Sequence, residues 1–355
     1  MLSMHSEITE WDIENIQVLR PGTVYKLTGH AGETLVVKVE SSYNLQPESF
    51  KMTKLAMKAV DPRAGNAKLL TDNEKNEIKK FVEFMKRVTQ DFSANMVSQY
   101  DAGPAAQDLW RIFKDPLTPV WYKMPFESLS DADKLLALRL GDKGGAKDKS
   151  LMYKFAQGLK EPGGLEQLGK IIAADMFNGN GDRFNPLEGS KNHYGGKDLR
   201  FRVIKNIGNV FVIGKNTDMR FAVSGHDFLD PNSPFRNFNL TVAEIQQYYT
   251  REDGSGEEWL GDYLCDPARR KKFAKDVAHD LEKIVSPNRK ALSPFRKLGR
   301  EGHAAKRVEK GMLQGMRAIV DAVDRRFGKA GKGPMPPGLQ DRRNRYDQAA
   351  RAAGY

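Results

Sequence analysis

An acid and an arginine, Asp182 and Arg183, stand inside a break rich in glycine and asparagine, Asn178-Gly-Asn-Gly-Asp-Arg-Phe-Asn185. Further on, Asn209 heads the strand-like run Ile207-Gly-Asn-Val-Phe-Val-Ile213. A carboxylate fixed at a rim can accept or orient the proton of a hydroxyl nucleophile, and an amide oxygen can help hold Mg²⁺. Phosphoryl transfer asks for that pair. Nearer the N-terminus, Lys38 lies within Thr34-Leu-Val-Val-Lys-Val-Glu40. A lysine among valines either reaches a rim or meets an anion, unless its strand is an edge and it faces water.

The elements that must position these groups follow from periodicity. Leu165, Leu168, Ile171, Ile172, Met176 and Phe177 recur at helical intervals and predict a buried helix ending at the Asn-Gly-Asn-Gly break. Residues 15 to 40 predict an antiparallel meander, with strands at 16–19, 23–28 and 34–40. Gln46 to Val60 predicts a helix with Pro47 in its first turn. Glu48 there is either a helix-dipole residue or the partner of Lys38. A helix follows from Asp72 to Thr89, with Glu74, Glu77 and Glu83 read as surface residues. Residues 91 to 107 read as irregular, and Trp110 to Phe113 and Pro119 to Phe126 as strands. The connector after Met124 leads to a helix expected to start near Asp131.

Beyond the break, Arg220 to Asp230 reads as a strand ending in two acids, Asp227 and Asp230, and from Val242 the pattern is helical. The expected fold class is α+β, with three parts: residues 1–127, 128–327 and a flexible basic tail at 328–355. Removing residues 331 to 355 is expected to leave the core intact.

Composition narrows the options. Among 355 residues, 39% are hydrophobic and 29% charged, and no run approaches the ~20 apolar residues of a membrane span. The single Cys265 excludes an internal disulfide and a cysteine-rich metal site. Met1 to Asp12 lacks the layout of a secretory signal. The expectation is a cytoplasmic protein, or one passed into a host cell by a signal-less system. The net charge of +11 concentrates beyond residue 267, in pairs such as Arg269-Arg270 and Arg342-Arg343. Such a half is either a solvated face or a surface for an acidic protein or anionic lipid. No specific nucleic-acid binding is expected, because aromatics are not interleaved with the basic residues.

Gly181-Asp-Arg-Phe-Asn185 resembles the Gly-Asp-Arg-His-Asn turn of phosphatidylinositol kinases. The wider layout is similar to the actin-fragmin kinase-like group, which includes bacterial effector kinases. Its parts match Asn178 to Arg183, an insertion from Phe184 to Asn206, Gly208-Asn-Val210 and Phe221 to Asp227. The resemblance implies a two-lobed protein-kinase-like fold using ATP and Mg²⁺. It implies that Lys38 contacts the α- and β-phosphates, Glu48 pairs with it, and Met124 to Phe126 face adenine. Asp182 becomes the base or orienting carboxylate, and Asn209 and Asp227 the metal ligands, with Asn185 and Asp230 as competitors. Arg183 either neutralises charge at the transferred phosphate or forms a structural salt bridge to an acid such as Asp175. A protein Ser/Thr acceptor is the expected substrate, a host protein under the effector-kinase resemblance. The alternatives are a lipid or small-molecule kinase, a protein nucleotidyltransferase, and a non-catalytic module that binds an acidic partner.

Overall fold

Alternation of apolar and polar residues in the first 125 positions builds a sheet with two different faces. The computed structural model describes residues 1–20, 22–40, 47–62, 67–91, 102–114, 120–125, 130–131, 163–194, 197–205, 210–215, 218–225, 233–250, 254, 256–285, 303–328 and 333–355. Within them the chain is α+β, with a small antiparallel sheet of five strands and a mostly helical remainder. It divides into a sheet unit, Met1–Phe50 with Asn66–Ser128, and a helical unit, Lys51–Gly65 with Leu129–Tyr355.

The sheet holds β1 (Ile13–Arg20), β2 (Val24–Gly29), β3 (Thr34–Glu40), β4 (Lys68–Leu69) and β5 (Val120–Pro125), in the order β1-β2-β3-β5-β4. Tyr25, Leu27, Leu35, Val37, Val39 and Trp121 share one buried cluster with residues of helices α2 (Asp72–Asp91) and α3 (Ala102–Phe113). Because side chains alternate along a strand, Val24, Lys26, Val36, Lys38, Tyr122 and Met124 belong to the opposite face. Register sets Lys38 directly against Tyr122, and Val36 against Met124.

Two expectations fail here. Trp110 to Phe113 is the last turn of α3, not a strand. Ala105, Ala106 and Leu109 carry its buried helical face, and the Trp110 ring lies 4.5 Å from the Lys86 ammonium and 5.2 Å from that of Lys114. Glu74, read as a surface residue, is buried. It accepts from Lys123 Nζ at 2.6 Å, from the Ile8 amide at 3.2 Å and from the Thr71 amide at 2.9 Å. Lys123 Nζ also donates to the Ser6 carbonyl at 2.7 Å, so this buried pair straps the N-terminal segment onto the unit.

In the helical unit, α1 (Pro47–Val60) contributes its residues from Lys51 onward. The strands β6 (Ser130–Asp131), β9 (Val210–Lys215) and β10 (Asp218–Gly225) form a second sheet in the order β10-β9-β6. Asp131 lies in a strand, and the helix expected to start near it falls outside the described residues. A hairpin of β7 (Ser190–Tyr194) and β8 (Lys197–Phe201) lies within the insertion. The helices are α4 (Gly164–Asn178), α5 (Val242–Tyr248), α6 (Asp262–Cys265), α7 (Pro267–Val285), α8 (His303–Phe327) and α9 (Pro337–Ala352). Helix α4 is the core, with Leu165, Ile171, Ile172, Met176 and Phe177 fully buried. It meets α8 at glycines: a Cβ on Gly311 would stand 2.1 Å from the Glu166 carbonyl, and one on Gly169 2.2 Å from that of Val308.

The expected flexible tail is also corrected. Residues 337–352 form α9, with Leu339, Arg342, Tyr346 and Ala350 buried. The Tyr346 hydroxyl donates to the Ala173 carbonyl of α4 at 2.9 Å. Arginines that read as tail charge are tied down, Arg343 to Asp324 at 2.6 Å and Arg345 to Asp262 at 3.1 Å. The positions 339, 342, 346 and 350 are a helical stripe whose pattern is interrupted by an arginine.

The glycine contact gives a stability test. Gly311→Ala, which in an open helix would add stability, is expected to lower it by about 1–3 kcal/mol or more in urea unfolding, because the new methyl meets backbone. An unchanged or raised midpoint would refute the close crossing. Ending the chain before Gly333 is expected to abolish cooperative melting of the helical unit, and a truncated chain with the full-length melt would show α9 to be dispensable.

Candidate active site

The candidate site begins where α4 stops. Gly179 takes φ +70°, outside the helical range and natural to glycine. Its amide donates to the Met176 carbonyl at 3.2 Å, and the Asn180 amide reaches back to the Asp175 carbonyl at 2.8 Å. This pair of reversed bonds satisfies the last helical carbonyls and turns the chain sharply. A Cβ at position 179 would meet Phe235 Cβ at 2.6 Å, so the turn is also sterically fixed.

Asp175 holds the next residues with its side chain. Arg183 Nε donates to Asp175 Oδ2 at 2.9 Å and Nη2 to Oδ1, and both side chains are wholly buried. Asn180, also buried, donates to Asp175 Oδ1 at 3.5 Å, while its own Oδ1 accepts from the Asp182 amide at 3.0 Å. That last bond is a side-chain-to-backbone turn of the kind asparagine favours. Asp182 is left half-buried between a fixed Asn180 and a fixed Arg183.

The chain beyond is held in turn. The Asn185 amide donates to the Val203 carbonyl at 2.8 Å, and the Lys205 amide to that of Arg183 at 2.9 Å. Asp280 of α7, with no exposure, accepts from the amides of Arg202 at 2.8 Å, Val203 at 2.9 Å and Ile204 at 3.2 Å. A buried carboxylate that gathers consecutive amides fixes the strand that fixes the turn.

Support also comes from behind the helix. The Phe177 carbonyl, one of the last in α4, accepts from Trp259 Nε1 at 3.2 Å and from Arg342 Nη1 at 3.4 Å. Trp259, Tyr346 and Phe238 surround the Phe177 ring. Burial pushes the Arg342 guanidinium down to about 9, so it stays cationic at neutral pH beside the negative end of the helix dipole. Burial and nearby acids hold the Tyr346 hydroxyl far above its usual range, which keeps it a donor. Cys265, pushed up to about 12 by burial, remains a thiol at neutral pH.

The predicted residues divide clearly. Asp182 and Arg183 are together in this turn, and Arg183 is the buried salt-bridge partner of Asp175, the second of its two expected roles. Lys38 lies half-buried in β3, its ammonium 5.9 Å from the Tyr122 ring centroid, and Met124 is buried on β5. Glu48 is in the first turn of α1 by its backbone. Phe126, Asn209, Asp227 and Asp230 lie outside the described residues. Asn185 Oδ1 accepts from the Leu187 amide at 2.9 Å, an engagement that competes with a metal role.

Sequence reasoning missed Asn180, Asp280, Trp259 and Arg342. The Asn-Gly-Asn-Gly run is itself a turn signal that points to Asn180. Among the described residues, no group of three or more His, Cys, Asp or Glu is placed to hold a metal ion. No helix of the described residues is long and apolar enough to cross a membrane. No family model, no curated protein and no solved structure matches the chain.

Arg183→Met strands a buried carboxylate and is expected to cost about 3–5 kcal/mol in urea unfolding. The double variant Asp175→Leu/Arg183→Met is expected to recover much of that loss. A single Arg183→Met chain of wild-type stability would remove the pair from the support of the turn.

Proposed function

We propose that the chain is an ATP- and Mg²⁺-dependent phosphotransferase with a two-lobed, protein-kinase-like fold, acting on a Ser/Thr hydroxyl of a protein. The observation that carries the reading is the turn at 178–183. It buries Arg183 and Asn180 to hold Asp182, half-exposed, just beyond the end of a core helix. A carboxylate so restrained suits the orientation of an incoming hydroxyl and the acceptance of its proton.

The sheet unit supplies a second support. On one face of β3 and β5 the half-buried Lys38 holds its ammonium 5.9 Å from the Tyr122 ring centroid, beside Val36 and Met124, and these three neighbours are buried. A lysine at this position suits contact with phosphates. ATP supplies the phosphoryl group. Lys38 binds its phosphates, Glu48 orients Lys38, and Met124 with Phe126 packs on the base. Asn209 and Asp227 are the residues assigned to Mg²⁺, on their order in the sequence alone. The acceptor is a protein, from a host in the effector reading.

The test is transfer from γ-labelled and, separately, α-labelled ATP with Mg²⁺ into proteins of a eukaryotic lysate. Transfer from the γ position alone is expected, and Asp182→Asn is expected to lower it by about 10²–10⁴-fold while ATP affinity and melting stay near wild type. Transfer from the α position would make the chain a nucleotidyltransferase. Binding of ATP without any transfer would favour a non-catalytic module, and no ATP binding would sink the reading.

A further inference from the structure

The N-terminal segment covers only the first half of one face of helix α2. Asn73 Nδ2 donates to Glu7 Oε2 at 3.2 Å, the Ile8 amide to Glu74 Oε1 at 3.2 Å and the Glu10 amide to Glu77 Oε2 at 3.0 Å. Segment and helix thus run side by side in the same direction. The segment then makes one short helical turn, Glu10–Asp12, and leaves as β1. Phe84 lies seven residues beyond Glu77, on the same side of α2 and roughly 10 Å further along. It is 57% exposed. Trp11 stands at the step where the cover ends, and it is 81% exposed. Its backbone is nevertheless fixed. The Thr9 amide and hydroxyl donate to Asp12 Oδ2 at 3.1 and 2.8 Å, and the Asp12 amide donates to the Thr9 carbonyl at 3.1 Å. An indole held in water on an ordered turn has little left to lose in entropy when it meets a partner.

Charge narrows what that partner is. The chain has a net charge of +11, yet no lysine or arginine precedes Arg20, and Glu7, Glu10, Asp12 and Glu14 flank Trp11 in the sequence. Asp12 is paired with the terminal ammonium. Lys80 pairs with Glu77 at 2.7 Å and also feels Glu10, so one cation serves two acids. Glu14 is exposed and forms no ion pair among the described residues. At the Phe84 end, Glu83 and Arg87 are of opposite sign. The step around Trp11 therefore keeps a surplus of negative charge, which repels anionic lipid and nucleic acid and attracts a cation. A guanidinium or ammonium is also what the face of an indole favours.

We propose that Trp11 and Phe84 anchor an extended segment of a partner protein along the uncovered half of α2. The segment continues the track of residues 7 to 11. It sets an apolar side chain against Phe84 and a lysine or arginine over the Trp11 indole, close to Glu10 and Glu14. The inference is independent of the nucleotide reading.

The test is selection from a random peptide display library on the immobilised full chain, after depletion on Trp11→Ala. Enriched peptides are then titrated by fluorescence anisotropy against wild type, Trp11→Ala, Phe84→Ala and the double variant Glu10→Gln/Glu14→Gln. Thermal melts check that each variant is folded, and Trp11→Gln replaces the alanine variant if that one melts early. Sequences with a lysine or arginine close to a large apolar residue are expected to be enriched. Loss of either aromatic is expected to weaken them by about 10- to 100-fold. Loss of the two carboxylates is expected to weaken them by about 3- to 10-fold, an effect that fades in high salt. No enrichment over Trp11→Ala, or enriched peptides without basic residues, would overturn the inference. Self-association in sedimentation that Trp11→Ala abolishes would make the occupant a second copy of the chain and overturn it. Flotation with anionic vesicles that the same variant abolishes would overturn it in favour of a membrane.

Discussion

The bidentate pair between Asp175 and Arg183 is the interaction on which the candidate site depends. Neither side chain is exposed, so each ion has given up its water, and Asp175 is satisfied by Arg183 together with the Asn180 side chain. Asp175 also takes the Asn180 amide on its own carbonyl, and so fixes the turn through both main chain and side chain. Such a pair contributes less to net stability than to the choice of a single conformation for the seven residues between its partners.

The pair in turn needs a helix that cannot shift. Gln167 Nε2 donates to the Val60 carbonyl at 2.9 Å and Asn178 Nδ2 to that of Thr53 at 3.2 Å, so α1 is tied along α4 near both ends. On another side α8 approaches backbone to backbone through Gly169 and Gly311. At the C-terminal end the carbonyl of Phe177 is held by an indole and a guanidinium from distant segments. Many weak dispersion contacts and a few directed bonds thus converge on one buried cylinder.

The parts legible in the sequence were those with a strong local signature. Leu165 to Phe177 declared a buried helix by spacing, and the glycines after it declared its end. The meander appeared through β-branched runs, and Lys38 stood out because it breaks one. What stayed hidden depended on partners far along the chain. Glu74 looked like any helical acid until Lys123 and the Ile8 amide were brought to it. Trp110 to Phe113 carried strand-like side chains, yet the register of Ala105, Ala106 and Leu109 before it decided for helix. Arg342 sits at a core position of α9, and a charge there disguises the stripe. The basic composition of the last stretch suggested a partner surface, whereas several of those arginines are spent on acids of the same unit.

The enclosure of Phe177 also orders events during synthesis. The sheet unit ends at Ser128 and can close its core while the ribosome is still adding the helices. The turn bearing Asp182 has no such independence. Its supporting carbonyls wait for Arg342 and Tyr346, separated from their partners by 165 and 173 residues. Contacts of that sequence separation form late, because long loops must be closed before any packing rewards them. A nascent chain therefore acquires an ordered turn at Asp182 only after its α9 segment has left the exit tunnel, which separates the closing of the sheet unit from the completion of the candidate site.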